Sequence, residues 1–87
     1  MSTDAQILNP DAPARYRICT QGIFDAHWLD RLSGAWVLCN HSYSGLRVTI
    51  FVGSVVDQSA LFGVLNYLYN LGLPLISVEL LLDEPDR

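Results

Sequence analysis

The residues in this chain that could do chemistry are few and scattered. There are two histidines, His27 and His41, two cysteines, Cys19 and Cys39, nine acidic residues and five basic ones, all arginine: Arg15, Arg17, Arg31, Arg47 and Arg87. A zinc site needs three or four converging ligands, and Cys39-Asn40-His41 is too short a spacing for a zinc motif, so no metal site is expected. A reactive thiol needs neighbouring positive charge. Arg17 or Arg47 would supply it to Cys19, but structural thiols are the simpler expectation for both cysteines. Asp25 and Asp57 each precede an apolar-periodic segment, and helix capping accounts for both. No two carboxylates share an expected face at the spacing that acid–base catalysis needs. Gly-x-Ser-x-Gly, P-loop and Cys-x-x-Cys sequences are absent. The residues therefore call for no cofactor.

The bulk numbers narrow the choice further. Eighty-seven residues and 9.7 kDa make one domain with a thin core. Half the residues are apolar (51%), so the chain folds rather than staying disordered. A net charge of −4 with dispersed arginines provides no patch for a phosphate backbone, which argues against nucleic acid as a partner. No apolar run reaches the ~18 residues of a membrane span. The start, Met-Ser-Thr-Asp-Ala-Gln, lacks the basic and apolar stretches of a signal peptide. Reduced cysteines in a cytoplasmic protein are the corresponding expectation.

The segments that must position these residues follow from periodicity. Residues 1–14 carry Asn9-Pro10-Asp11-Ala12-Pro13 and no period, and read as a flexible leader; 83–87 read as a polar tail, leaving 15–82 as the domain. Arg15 to Gln21 alternates as a half-buried strand, with Tyr16, Ile18 and Thr20 on one face. Asp25 caps a first helix, Phe24 staples onto Leu29, and Gly34 ends it. Trp28 and Trp36 are expected in the core. Ala35 to Asn40 is a second strand, and residues 41–45 form a hairpin loop of the longer kind. Leu46 to Val52 is a third strand, with Val48, Ile50 and Val52 facing inward. Asp57 caps a second helix, Val56 staples onto Leu61, and Leu61, Leu65, Leu68 and Leu71 make its buried stripe. Gly72-Leu73-Pro74 stops that helix, and Leu75 to Leu80 is the last strand, with Ile76, Val78 and Leu80 inward.

This is an α+β chain in the order β-α-β-β-α-β. Its natural closed form is the ferredoxin-like fold, a four-stranded antiparallel sheet with two helices on one face. The uncovered face is expected to carry Arg17, Cys19, Gln21, Arg47, Thr49, Phe51, Ser77 and Glu79. Arg17, Cys19, Arg47, Thr49, Phe51 and Glu79 are the expected interface residues, with Phe51 as the apolar anchor. The loop and first turn around Gly22, Asp25, His27 and Trp28 are the candidate ligand site, because a helix N-terminus attracts anions. Strand three separates Cys19 from Cys39, so no disulfide between them is expected.

Two resemblances bear on these expectations. Gln21-Gly22-Ile23-Phe24, then Ala35-Trp36-Val37 and Gly53, resemble the acylphosphatase layout. That family's phosphate-holding arginine falls at about Ala26, and its asparagine at about Cys39, with Asn40 one step away. Without the arginine, acylphosphatase activity is not expected. More closely, Phe24–Gly34, Val56–Leu65 and Leu71–Val78 resemble a widespread group of short stand-alone bacterial proteins of unassigned function. The likeness lies in the Trp-containing first helix, the Val-x-Asp-Gln-x-Ala-Leu-x-Gly-x-Leu stretch and the Leu-Gly-Leu-Pro-Leu-x-Ser-Val end. It covers about residues 16–80 and implies a bacterial source. Ser54 and Phe62 stand where those proteins usually carry proline and histidine.

The functional expectation is a non-enzymatic interaction or assembly module that pairs with itself or another protein through the sheet face or an edge strand. The alternatives are a small-molecule sensor, or a cofactor-free enzyme of the dimeric α+β barrel type using His27, Cys19 and Asp25.

Overall fold

The structure, a computed structural model, describes residues 8–32 and 35–82. Four strands, β1 (Ala14–Gln21), β2 (Trp36–Tyr43), β3 (Leu46–Val55) and β4 (Leu75–Leu81), form one antiparallel sheet in the order β2-β3-β1-β4. One α-helix, α1 (Gln58–Asn70), lies between β3 and β4 in sequence. The connection from β1 to β2 holds a 3-10 helix over Ala26–Arg31.

The α+β class and the four-stranded antiparallel sheet match the sequence expectation. The βαββαβ order with two helices on one face does not: a six-residue 3-10 helix stands where the first α-helix was expected. Within it only Leu29 is half-buried, with buried Leu32 just after its end, too narrow a stripe to hold several α-helical turns on the sheet. Asp25 still caps it, its carboxylate accepting from His27 N–H at 3.0 Å. Phe24 packs edge-to-face on Phe51, with ring centroids 5.0 Å apart. Trp28 is exposed, with the Arg31 guanidinium 5.3 Å from its ring centre, so of the two tryptophans only Trp36 is in the core. Gly34, the expected helix end, lies outside the described residues, as do residues 1–7 and the tail 83–87.

α1 forms for the reasons visible in its ends. The Asp57 carboxylate accepts from Ala60 N–H at 2.8 Å. Gly72 sits at φ +81, and Leu73 N–H returns to the Leu68 carbonyl at 3.2 Å. Leu61, Val64 and Leu68 are its buried residues; Leu65 is half-buried and Leu71 exposed, so the stripe lies slightly round the helix from the expected one. Val56 is exposed and makes no staple. The turn ahead of β1 is tied down: Asp11 N–H meets the Asn9 side chain, and Gln58 N–H donates to the Pro10 carbonyl at 2.8 Å.

The β2–β3 hairpin is tighter than expected. Ser44 (φ 50) and Gly45 (φ 83) make a two-residue turn with both central φ values positive, which suits the twist of the strands. β2 therefore runs on through His41-Ser42-Tyr43, and β3 continues past Gly53-Ser54 to Val55.

Register fixes the faces. Ile18 lies opposite both Phe51 and Val78, and Leu38 opposite Phe51; Thr20 and Asn40 both lie opposite Thr49. The helix-side core is Ile18, Phe24, Leu32, Trp36, Phe51, Val55, Leu61, Val64 and Leu68. The expected phase of β3 is thus inverted. Phe51 and Thr49 are fully buried (0% exposed) beneath the helix layer, and Arg47 shares their side at the exposed start of the strand. Val48, Ile50 and Val52 face the other way. A central strand apolar on both faces offers no alternation from which to read its phase.

Candidate docking surface

Of the six expected interface residues, only Arg17, Cys19 and Glu79 lie on the uncovered sheet face. Arg17 and Glu79 are direct cross-strand partners, with Nε and Nη2 donating to Oε1 at 3.0 and 2.6 Å. Hydrogen bonding to Glu79, then its charge, pushes the Arg17 guanidinium pKa still further up. Thr49 and Phe51 leave the interface set because they are buried, and Arg47 because it points to the helix side. The face carries Val48, Ile50 and Val52 instead. Val48 is buried and the other two are half-buried, so neighbouring side chains already cover much of this apolar row.

The thiols also follow from register. Cys19 and Cys39 both lie opposite Ile50, one on each side, so two strand spacings, ~9.5 Å, separate them. Both are free, as expected. Cys39 Sγ is 3.2 Å from His41 Nε2, and His41 stacks on Tyr43. His27 instead meets Trp28 edge-on. Among the described residues no group of three or more His, Cys, Asp or Glu converges as metal ligands would.

The loop after β1 is engaged by its own chain. Gly22 (φ +105) donates its N–H to the Arg47 carbonyl at 2.7 Å. Phe24 N–H donates to the Thr49 hydroxyl at 3.2 Å, and that hydroxyl lies 2.8 Å from both the Gly22 carbonyl and the Asn40 side-chain oxygen position. One hydroxyl proton cannot serve two acceptors. The network closes when Thr49 donates to Gly22 and the Asn40 amide turns its NH2 toward Thr49. The N–H groups of Gly22, Phe24, His27 and Trp28 are thus already taken. The structure brings Gly22, Asp25, His27 and Trp28 near one another along the chain but leaves little unsatisfied there to receive an anion.

The prominent surface feature lies elsewhere. On one flank of α1, Ala60, Gly63, Val64 and Tyr67 face Arg31 and Leu32 across a groove of about 250 Å³. On the opposite flank, Gln58 lines a hollow together with Tyr16 of β1, Leu80 of β4 and the segment from Leu8 to Ala14. Phe62, Leu65 and Tyr69 follow Gln58 at helical spacing, and together they line a shallow groove on the helix surface. On the edge strand β4, Leu75, Ile76 and Val78 are exposed as well. Phe62 is 60% exposed, Tyr69 76%, Leu75 54%, Ile76 51% and Val78 37%. β4 is also an edge strand, with one row of backbone groups unpaired. Every residue from Leu75 to Glu79 is exposed, while Leu80 and Leu81 are half-buried.

Reading the sequence face by face missed this surface. Its signal is present: Phe62 and Tyr69 stand seven apart on α1, outside its leucine stripe, and Leu75-Ile76-Ser77-Val78-Glu79-Leu80-Leu81-Leu82 is aliphatic at positions of both parities.

These observations define a small α+β domain that has, among the described residues, one α-helix on an antiparallel sheet and an exposed apolar edge strand. The chain belongs to the family of the domain of unknown function DUF8691, whose family model matches residues 15–79. No curated protein and no solved structure matches the chain. Among the described residues, no helix is long and apolar enough to cross a membrane.

Proposed function

We propose that this domain is a protein-interaction and assembly module that works by self-association rather than by catalysis. The supporting observation is the exposed apolar surface of α1 and of the edge strand β4, with Phe62, Tyr69, Leu75, Ile76 and Val78 standing in solvent. Small monomeric proteins rarely leave such a patch next to an open strand edge. The residues that would carry a sensor or enzyme reading give less support, because the N–H groups of Gly22, Phe24, His27 and Trp28 are already bonded within the chain. The free cysteines suit a reducing cytoplasm, and the resemblance to short bacterial proteins suits a bacterial source.

Native mass spectrometry of the purified chain tests this reading. The expected result is a bare multiple of the 9.7 kDa chain. A monomer carrying a tightly held small molecule would replace it with the sensor reading.

A further inference from the structure

We infer that the partner of the α1–β4 flank is a second copy of this chain, joined by antiparallel pairing of β4 with β4 about Val78. The inference rests on the self-association reading above and names its surface and register.

Three observations favour a copy of the same chain. The first is the strand itself. β4 runs from Leu75 to Leu81, and a seven-residue strand pairs antiparallel with itself over its full length only when its midpoint, Val78, lies on the two-fold axis. That register sets Ile76 opposite Leu80, Leu75 opposite Leu81 and Ser77 opposite Glu79, so aliphatic meets aliphatic and the two glutamates stay apart.

The second is charge. Glu79 is the only charged residue on β4, and Arg17 of the same chain already neutralises it. The flank presents no unmatched charge to repel a copy or to select a charged partner.

The third is area. At ~150–200 Å² per large apolar side chain, the exposed parts of Phe62, Tyr69, Leu75, Ile76 and Val78 amount to roughly 500 Å² per copy. A standard interface buries ~800 Å² a side, of which a little over half is apolar. The flank matches that requirement. The other edge strand, β2, exposes Val37 and Tyr43 but interrupts them with Asn40, His41 and Ser42, and is more polar than β4. Joining β4 to β4 makes an eight-stranded sheet.

Disulfide trapping tests the register. In a Cys19→Ser/Cys39→Ser background, Val78→Cys places two thiols on the axis, at Cα separations of ~4.5–5.5 Å that a disulfide spans. Leu81→Cys places its two thiols ~20 Å apart at opposite ends of the paired strands. Each variant is first checked by circular dichroism, and its mass is measured by light scattering before mild copper-catalysed oxidation. The expected result is a dimer for both, with Val78→Cys trapped as a covalent dimer at least tenfold faster than Leu81→Cys. A dimer in which Val78→Cys is trapped no faster than Leu81→Cys overturns the β4 pairing and leaves the self-association reading standing. A monomer at every concentration overturns both. Should Val78→Cys fail to fold, Ser77→Cys and Glu79→Cys, mixed and oxidised, replace it: their cross-strand heterodimer is expected in preference to either homodimer, and its absence overturns the register.

Discussion

Trp36 lies directly opposite Gly53 across the β2–β3 pair, and its indole occupies the space that a Cβ at Gly53 would need. The Ala35 carbonyl closes the same space from the backbone side. Tyr16 flanks Gly53 from β1, so the glycine sits in a row between two aromatic residues. A side chain here must displace backbone and a buried ring together, and neither yields easily. Gly53→Ala is expected to destabilise the fold by about 1–3 kcal/mol or somewhat more. Chemical denaturation with unchanged m-value and a lower midpoint would show it. Gly63→Ala is the control: a Cβ there meets open space, and α1 should gain up to about 1 kcal/mol.

Two buried threonines one strand apart should respond oppositely to the same change. Thr49 holds Phe24, Gly22 and Asn40 through its hydroxyl. Its neighbour Thr20 is as deeply buried, and its hydroxyl finds no hydrogen-bond partner among the described residues. Thr49→Val strands a buried amide and a carbonyl and is expected to cost about 1–3 kcal/mol. Thr20→Val removes an unsatisfied polar group and is expected to be neutral or stabilising. Paired thermal melts decide it, and a loss at Thr20 equal to that at Thr49 would contradict the assignment.

The Arg17–Glu79 pair is solvent-exposed, so its contribution is small and open to screening by salt. Glu79 raises a guanidinium pKa that is already high. Stability from a raised basic pKa is fully present below the unfolded value and lost only as pH climbs through the folded one. That window lies above the working range. Glu79→Gln is therefore expected to shift the melting temperature slightly at low salt and not at all at about 1 M salt. The difference between variant and parent should stay flat from about pH 7 to about pH 9.

The sequence revealed element ends more clearly than faces. Asp25, Asp57, Gly22 and Gly72 mark local hydrogen bonds and positive φ values that depend on few neighbours, and each does what its type suggests. The inward side of β3 was not legible. Val48, Ile50 and Val52 compete with Phe51, Gly53 and Val55 for the core, and only pairing with Ile18 and Tyr16 decides between them. For the same reason Phe51, expected as an interface anchor, is a core residue. The reduction of the first helix to a 3-10 helix was also hidden, because Asp25 and Phe24 serve either form equally. As for the docking surface, the alternation in β4 suggests one inward and one outward face. From Leu75 to Glu79 the strand is exposed on both faces, and only Leu80 and Leu81 are half-buried.

The most direct test of the account is the mass in solution of the parent chain and of Ile76→Asp, measured by sedimentation equilibrium over a wide concentration range. Ile76 is exposed on β4 and contributes little to its own chain's core, so the substitution should leave the melting temperature of the monomer nearly unchanged. The expected result is a parent dimer of twice the 9.7 kDa chain mass and an Ile76→Asp variant that is monomeric at concentrations where the parent is not. Equal association constants for the two would contradict it, as would a monomeric parent throughout.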